Sequence, residues 1–169
     1  MTTPVTWDLS DLYVGVEDPK LTADLDRLDA RAARFAEAYR GKVGQLSPPD
    51  FAAALVEYEA IQRDVQNPSA FAQLVFAADS LNPAHGALVQ LVQEREVAIG
   101  RQLLFFSLEI VELPDDHFAR LLEDPTVAEY RHYLEHLRSE RPHRLTEPEE
   151  RILLEKSITG RSAFQRLFD

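Results

Sequence analysis

Cysteine is absent from the 169 residues. That excludes disulfides and thiol catalysis and fits a reducing cytosol, so the expected location is cytoplasmic. Basic residues are scarce: 18 Lys plus Arg stand against 29 Asp plus Glu, a formal net charge of -11. Nucleic acid and anionic membrane surfaces both call for a basic face, so neither is expected as a partner. No run approaches the roughly 18 apolar residues of a membrane span. Met1-Thr2-Thr3-Pro4 has neither the basic nor the apolar region of a signal peptide. Gly-rich phosphate loops, nucleophile elbows and dinucleotide fingerprints are missing too. What remains is 45% hydrophobic and 28% charged, a globular composition at the size of one domain.

The stretch Asn82 to Leu113 organises the chain. Leu88, Val92, Arg95, Ile99, Leu103, Phe106, Ile110 and Leu113 recur at steps of three and four, one face of a long helix with a single polar break. Asn82 suits the N-cap, Pro83 the first turn, and Pro114 the stop. Such a rod would be roughly 45 Å long. Leu91, Leu104, Phe105 and Leu108 widen the stripe, so neighbours are expected on two sides.

Other helix starts are marked by a capping residue before proline: Asp18-Pro19, Ser47-Pro48, Asn67-Pro68 and Asp124-Pro125, with a capping box at Thr146-Glu147-Pro148-Glu149. Helix one is expected from Pro19 to about Arg40 with Leu21, Leu25, Leu28, Ala32, Phe35 and Tyr39 inward and Gly41 as its stop. Helix two carries Phe51, Leu55, Tyr58, Ile61 and Val65; a separate short helix three carries Phe71, Leu74, Val75 and Ala78. A brief helix around His117–Glu123 would be capped by Asp115. The next presents Val127, Tyr130, Leu134 and Leu137. The last carries Ile152, Leu153 and Ile158, is broken at Gly160, and is followed by one or two turns over Ser162 to Phe168. The fold class is therefore all-α: a single domain over 1–169, with about seven helices arrayed around the long one at 82–113. Residues 1–17, with Trp7, Leu9, Leu12 and Tyr13, form an arm too apolar to stay in water and are expected to dock.

One local pattern invites a metal. His132-Tyr133-Leu134-Glu135-His136 places two histidines four apart beside a glutamate, the order of an inverted zinc-peptidase motif. At about 100° per residue, however, the seam of Val127, Tyr130, Leu134 and Leu137 faces away from both histidines. A third ligand is also needed. His132, Glu135 and His136 are therefore read as a decoy, with no catalytic or metal-binding residue expected. His85, His117 and His143 stand alone, and the carboxylate clusters fit helix starts and solvated faces.

The whole arrangement resembles the N-terminal region of the oligoendopeptidase F group of zinc metallopeptidases, in the thimet oligopeptidase superfamily. The resemblance lies in Trp7-Asp8-Leu9-Ser10-Asp11-Leu12-Tyr13, in Tyr130-Arg131-His132-Tyr133-Leu134-Glu135-His136-Leu137-Arg138, and in His143-Arg144-Leu145-Thr146 with Glu149-Glu150. It extends to Gly160-Arg161-Ser162-Ala163-Phe164-Gln165-Arg166-Leu167-Phe168-Asp169. The resemblance implies helices that form part of the wall of a channel admitting short peptides. It also implies a zinc site of His-Glu-x-x-His plus a downstream glutamate in a C-terminal catalytic domain. No His-Glu-x-x-His occurs in these residues. The chain alone is then expected to be inactive, without a cofactor of its own, and to partner that catalytic domain, with zinc belonging to the complete enzyme. Asp169 is expected to be a truncation point, and Trp7, Tyr13, Phe164, Leu167 and Phe168 are the docking candidates. Two other readings compete: a non-catalytic helical protein-interaction module, and a small zinc hydrolase built on the decoy.

Overall fold

In the computed structural model, which describes residues 7–160 with Ala163 and Phe164, the chain is predominantly helical from Pro19 onward. Among the described residues there are six α-helices and no strand. They are α1 (Pro19–Tyr39), α2 (Pro48–Ala78), α3 (Pro83–Glu112), α4 (Asp115–Glu123), α5 (Arg131–Ser139) and α6 (Glu147–Thr159). Single 3-10 turns lie at Val43–Gln45, Ala128–Tyr130 and Arg141–His143.

The caps act as their chemistry dictates, each satisfying a backbone N–H that the helix start leaves orphaned. The Asp18 carboxylate accepts from the Lys20 N–H at 2.9 Å, and Asn82 Oδ1 accepts from the Ala84 N–H at 3.0 Å. Ser47 Oγ accepts from the Asp50 N–H at 3.3 Å. The Glu149 carboxylate takes both the N–H and the hydroxyl of Thr146, at 2.9 and 2.6 Å. Gly41, at φ +73, turns the chain after α1 through the left-handed region.

Two starts read from the sequence differ. Asn67-Pro68 does not begin a helix, because α2 runs through it and Pro68 lies buried inside. Ile61, Val65, Phe71 and Ala72 continue one buried stripe across the proline. The gain from burying that stripe outweighs the hydrogen bond to the Asp64 carbonyl that proline cannot make. Helices two and three are thus one, and the count falls to six. Asp124-Pro125 opens a turn instead of a helix: Asp124 accepts from the N–H and hydroxyl of Thr126, at 2.9 and 2.6 Å. The α-helix begins only at Arg131. Asp115 does not cap α4 but lies in its first turn. It is taken instead by Arg138 and by Arg141, the latter at 3.2 Å.

α2 and α3 form a hairpin across a short turn, and α3 also packs on α1, α5 and α6. Every apolar stripe residue of α3 is buried, while Leu91 is 46% exposed. The polar break, Arg95, reaches across to Asp26 of α1. The core has two parts. The larger gathers Phe35, Phe51, Phe105 and Phe106 with Leu55, Ile99 and Ile110, and takes in Phe118, Leu134 and Leu137 from the later helices. Phe106 is fully buried, with its ring centroid 5.0 Å from Phe35 and 5.1 Å from Tyr58. The smaller joins Leu21, Leu25, Phe71, Leu88 and Val92 to Tyr13. The arm thus docks on its own chain. Tyr13 meets Phe71 edge-on at 5.1 Å and donates to Asp24 at 3.1 Å, and Lys20 holds the Leu12 carbonyl at 3.0 Å.

α6 packs on α3. Its Leu154 sits against Gly100, where an added Cβ would come within 3.4 Å of Leu154 Cδ2. Ile152 and Leu153 were expected inside, but are 56% and 55% exposed. The side chain of Ile158 and the stretch 165–169 lie outside the described residues.

Candidate functional sites

The histidine pattern lies on an open helix face. His132, Glu135 and His136 are all exposed, opposite the buried Leu134 and Leu137 of the same helix. Glu135 pairs with Arg131 at 3.6 Å. Among the described residues no group of three His, Asp or Glu side chains is placed to hold a metal ion. A catalytic zinc takes three protein ligands, so the residues present do not fit one.

The docking candidates divide. Tyr13 is 3% exposed and filled by contacts within the chain, so it is no free surface. Its ring is needed to close the smaller core, and burial, followed by the Asp24 carboxylate, pushes its phenol up. Trp7 and Phe164 are 77% and 67% exposed. Leu167 and Phe168 lie outside the described residues.

Three features emerge that sequence spacing could not reveal. The first is a groove of about 540 Å³ between α2 and the start of α5, lined by Leu55, Tyr58, Glu59, Gln62, Glu129, Tyr130 and Tyr133. The Tyr130 hydroxyl donates to Glu59 at 2.7 Å, and Gln62 Nε2 donates to the Tyr58 oxygen at 3.1 Å. The Glu59 bond, and burial after it, pushes the Tyr130 phenol up to about 12. Burial, with the neighbouring Tyr58 hydroxyl second, raises Tyr133 as well. Tyr130 and Tyr133 therefore stay protonated at neutral pH. No Lys, Arg or His lines the groove.

The second is a groove of about 450 Å³ where the end of α3 meets the approach to α6. Phe105, Leu108, Val111 and Leu145 form its apolar surface, with Glu109, Glu112, Arg144 and Glu147 around it. Arg40 lies 4.5 Å over the Phe105 ring and binds Glu147 at 2.6 Å.

The third is a pair of carboxylates inside helix contacts. Glu109 accepts from the N–H groups of Gly41, at 2.7 Å, and Val43, at 3.3 Å. It thereby ties the end of α1 to α3. Glu96, also on α3, is largely buried beside Ser69 of α2, and burial raises its carboxyl above the ordinary 4.5 while Ser69 opposes the shift. Each partner stands far from its carboxylate in sequence, so only the folded chain shows the pairing.

The described residues thus form an all-helical unit. A family model described as oligopeptidase F, for the N-terminal region of M3 peptidases, matches residues 109–169. This segment, from the last turn of α3 through α6 to the end of the chain, is what is similar to the N-terminal region of the oligopeptidase F group. The block Tyr130–Arg138 that carries the resemblance lies within it, whereas Trp7–Tyr13 does not. No curated protein and no solved structure matches the chain.

Proposed function

We propose that this chain is the N-terminal helical portion of a zinc-dependent oligoendopeptidase that hydrolyses short peptides in the cytoplasm. The family match over residues 109–169 carries the reading. In it, the long α3 is the spine of an array forming part of a substrate-channel wall, and the catalytic zinc belongs to a C-terminal domain of the same protein. No described helix is long and apolar enough to cross a membrane, which accords with an enzyme acting on dissolved peptides.

The exposed apolar residues around α6 support an interface with that domain. Leu145, Ile152, Leu153 and Phe164 are each between 46% and 67% exposed, and they cluster on one element and its flanks. Solvating four large apolar side chains is unfavourable by roughly 25 cal/mol for each Å² of apolar surface that a partner would otherwise cover. α6 would then be the seat of the catalytic domain, held to the array through Leu154 and Gly100.

The test is the native protein. An antibody raised against this chain is expected to detect, in the source cell, a species several times heavier than 19.2 kDa. Once captured, it should cleave a quenched fluorescent peptide, lose that activity to a chelator and regain it with zinc. A native species of 19.2 kDa that cleaves nothing would overturn the proposal and leave the helical interaction module in its place.

A further inference from the structure

We infer that the groove between α2 and α5 is a binding site for the arginine side chain of an extended peptide. The inference stands on the groove alone and does not depend on the peptidase reading. Its volume of about 540 Å³ is within the range of sites that hold small ligands, roughly 300–1,000 Å³. Three tyrosine rings, Tyr58, Tyr130 and Tyr133, supply flat π-surface, on which a guanidinium plane stacks well. Two carboxylates, Glu59 and Glu129, supply the negative charge, and no cation lines the groove to neutralise them.

The two acids are not equivalent. Glu59 already accepts the Tyr130 hydroxyl at 2.7 Å, which fixes that ring at the groove edge and leaves its other oxygen to accept from a ligand. Glu129 makes no hydrogen bond or ion pair among the described residues and stands exposed beside Tyr130. It is the group with most to gain from a charged partner. Gln62 already donates to Tyr58, so the Tyr58 ring is held as well. The Tyr58 and Tyr130 rings are therefore held before binding, and the ordering that binding adds falls chiefly on Glu129.

Charge and shape together favour arginine over other ligands. An anion would meet two carboxylates, with only the phenols and the neutral Gln62 amide as donors. A purely apolar side chain would strand both acids with nothing gained. Lysine brings the charge but not the plane that stacks on tyrosine. Arg144 is the one cation acting on Tyr133, but it lies outside the lining.

The experiment is a titration of the chain, labelled at its tyrosine rings, followed by NMR. The probe is acetyl-Gly-Arg-Gly-amide; the control replaces arginine with its neutral isostere citrulline. Saturable shifts are expected at Tyr58, Tyr130 and Tyr133, with a dissociation constant on the order of a millimolar, as suits one side chain. Tyr13, which lies in the smaller core, should stay fixed and report that the fold is intact. Citrulline should bind at least several-fold more weakly. E129Q should weaken the arginine peptide by roughly threefold, the effect of one partly screened ion pair, and raising salt should reduce the difference between E129Q and the native chain. Failure to saturate at tens of millimolar overturns the inference. So does equal binding of citrulline, an unchanged constant in E129Q, or shifts confined to Tyr13. Because no bond cleavage is measured, neither result bears on the peptidase reading.

Discussion

Glu109 offers the sharpest test of how the family-matched segment is held to the rest of the chain. It is the first residue of that segment, and its carboxylate receives two backbone N–H groups from the turn after α1. Neither of these N–H groups bonds a backbone carbonyl instead. E109Q keeps the size and one acceptor oxygen but presents an NH2 to one of the two N–H groups. One charge-assisted bond is lost, and two donors are left facing each other. Hydrogen bonds to charged groups contribute about 1.5–3 kcal/mol. Because Glu109 is half-buried, the lower end applies, and about 1.5–2 kcal/mol is expected. The assay is urea unfolding followed by far-UV circular dichroism. With a slope of about 1–3 kcal/mol per molar urea, the midpoint should fall by about 0.5–2 M with the slope unchanged. E112Q, one helical turn on and exposed, is the control and should lie within about 0.5 kcal/mol of the native chain. If E109Q and E112Q unfold together, the carboxylate is not a tie between α1 and α3, and the reasoning fails.

Other outcomes follow from the same geometry. F106A removes the ring at the centre of the aromatic cluster and should cost about 3–5 kcal/mol; a loss under about 1.5 kcal/mol by the same urea assay would mean the core is not packed as described. Gly41 has φ +73 with open space where a Cβ would stand, so G41A should cost about 1–2 kcal/mol through backbone conformation alone. G41N should cost less, and equal thermal midpoints for G41A and the native chain would contradict the turn. Glu96 has its carboxyl raised by burial, so whatever stability it contributes is present below the ordinary 4.5 and is lost as pH rises through the folded value. E96Q should therefore unfold at a higher temperature than the native chain at pH 7, and the advantage should vanish by about pH 4. An advantage that persisted unchanged at low pH would be packing, not ionisation.

The all-helical class was legible in the sequence because it is written locally. Period and caps act within a few residues: Asp18, Ser47, Asn82 and Thr146 are bonded to their own first turns, and the apolar stripe from Leu88 to Leu113 is buried throughout. The outward face of His132 and His136 followed from the same angular arithmetic on Leu134 and Leu137. Where a local signal had to compete with packing, it could lose. Pro68 looked like a helix start, yet the stripe running from Ile61 to Ala72 carries α2 straight through it. Ile152 and Leu153 looked like core, yet α6 leans on α3 through Leu154 and Gly100 instead. Tyr13 looked like a residue for docking a further domain, yet Phe71, 58 residues away in sequence, closes over it. The grooves and the carboxylate ties were invisible for one reason. Tyr58 and Tyr133, Gly41 and Glu109, Ser69 and Glu96 are joined by no spacing rule, and only the chain folding back on itself brings them within bonding distance.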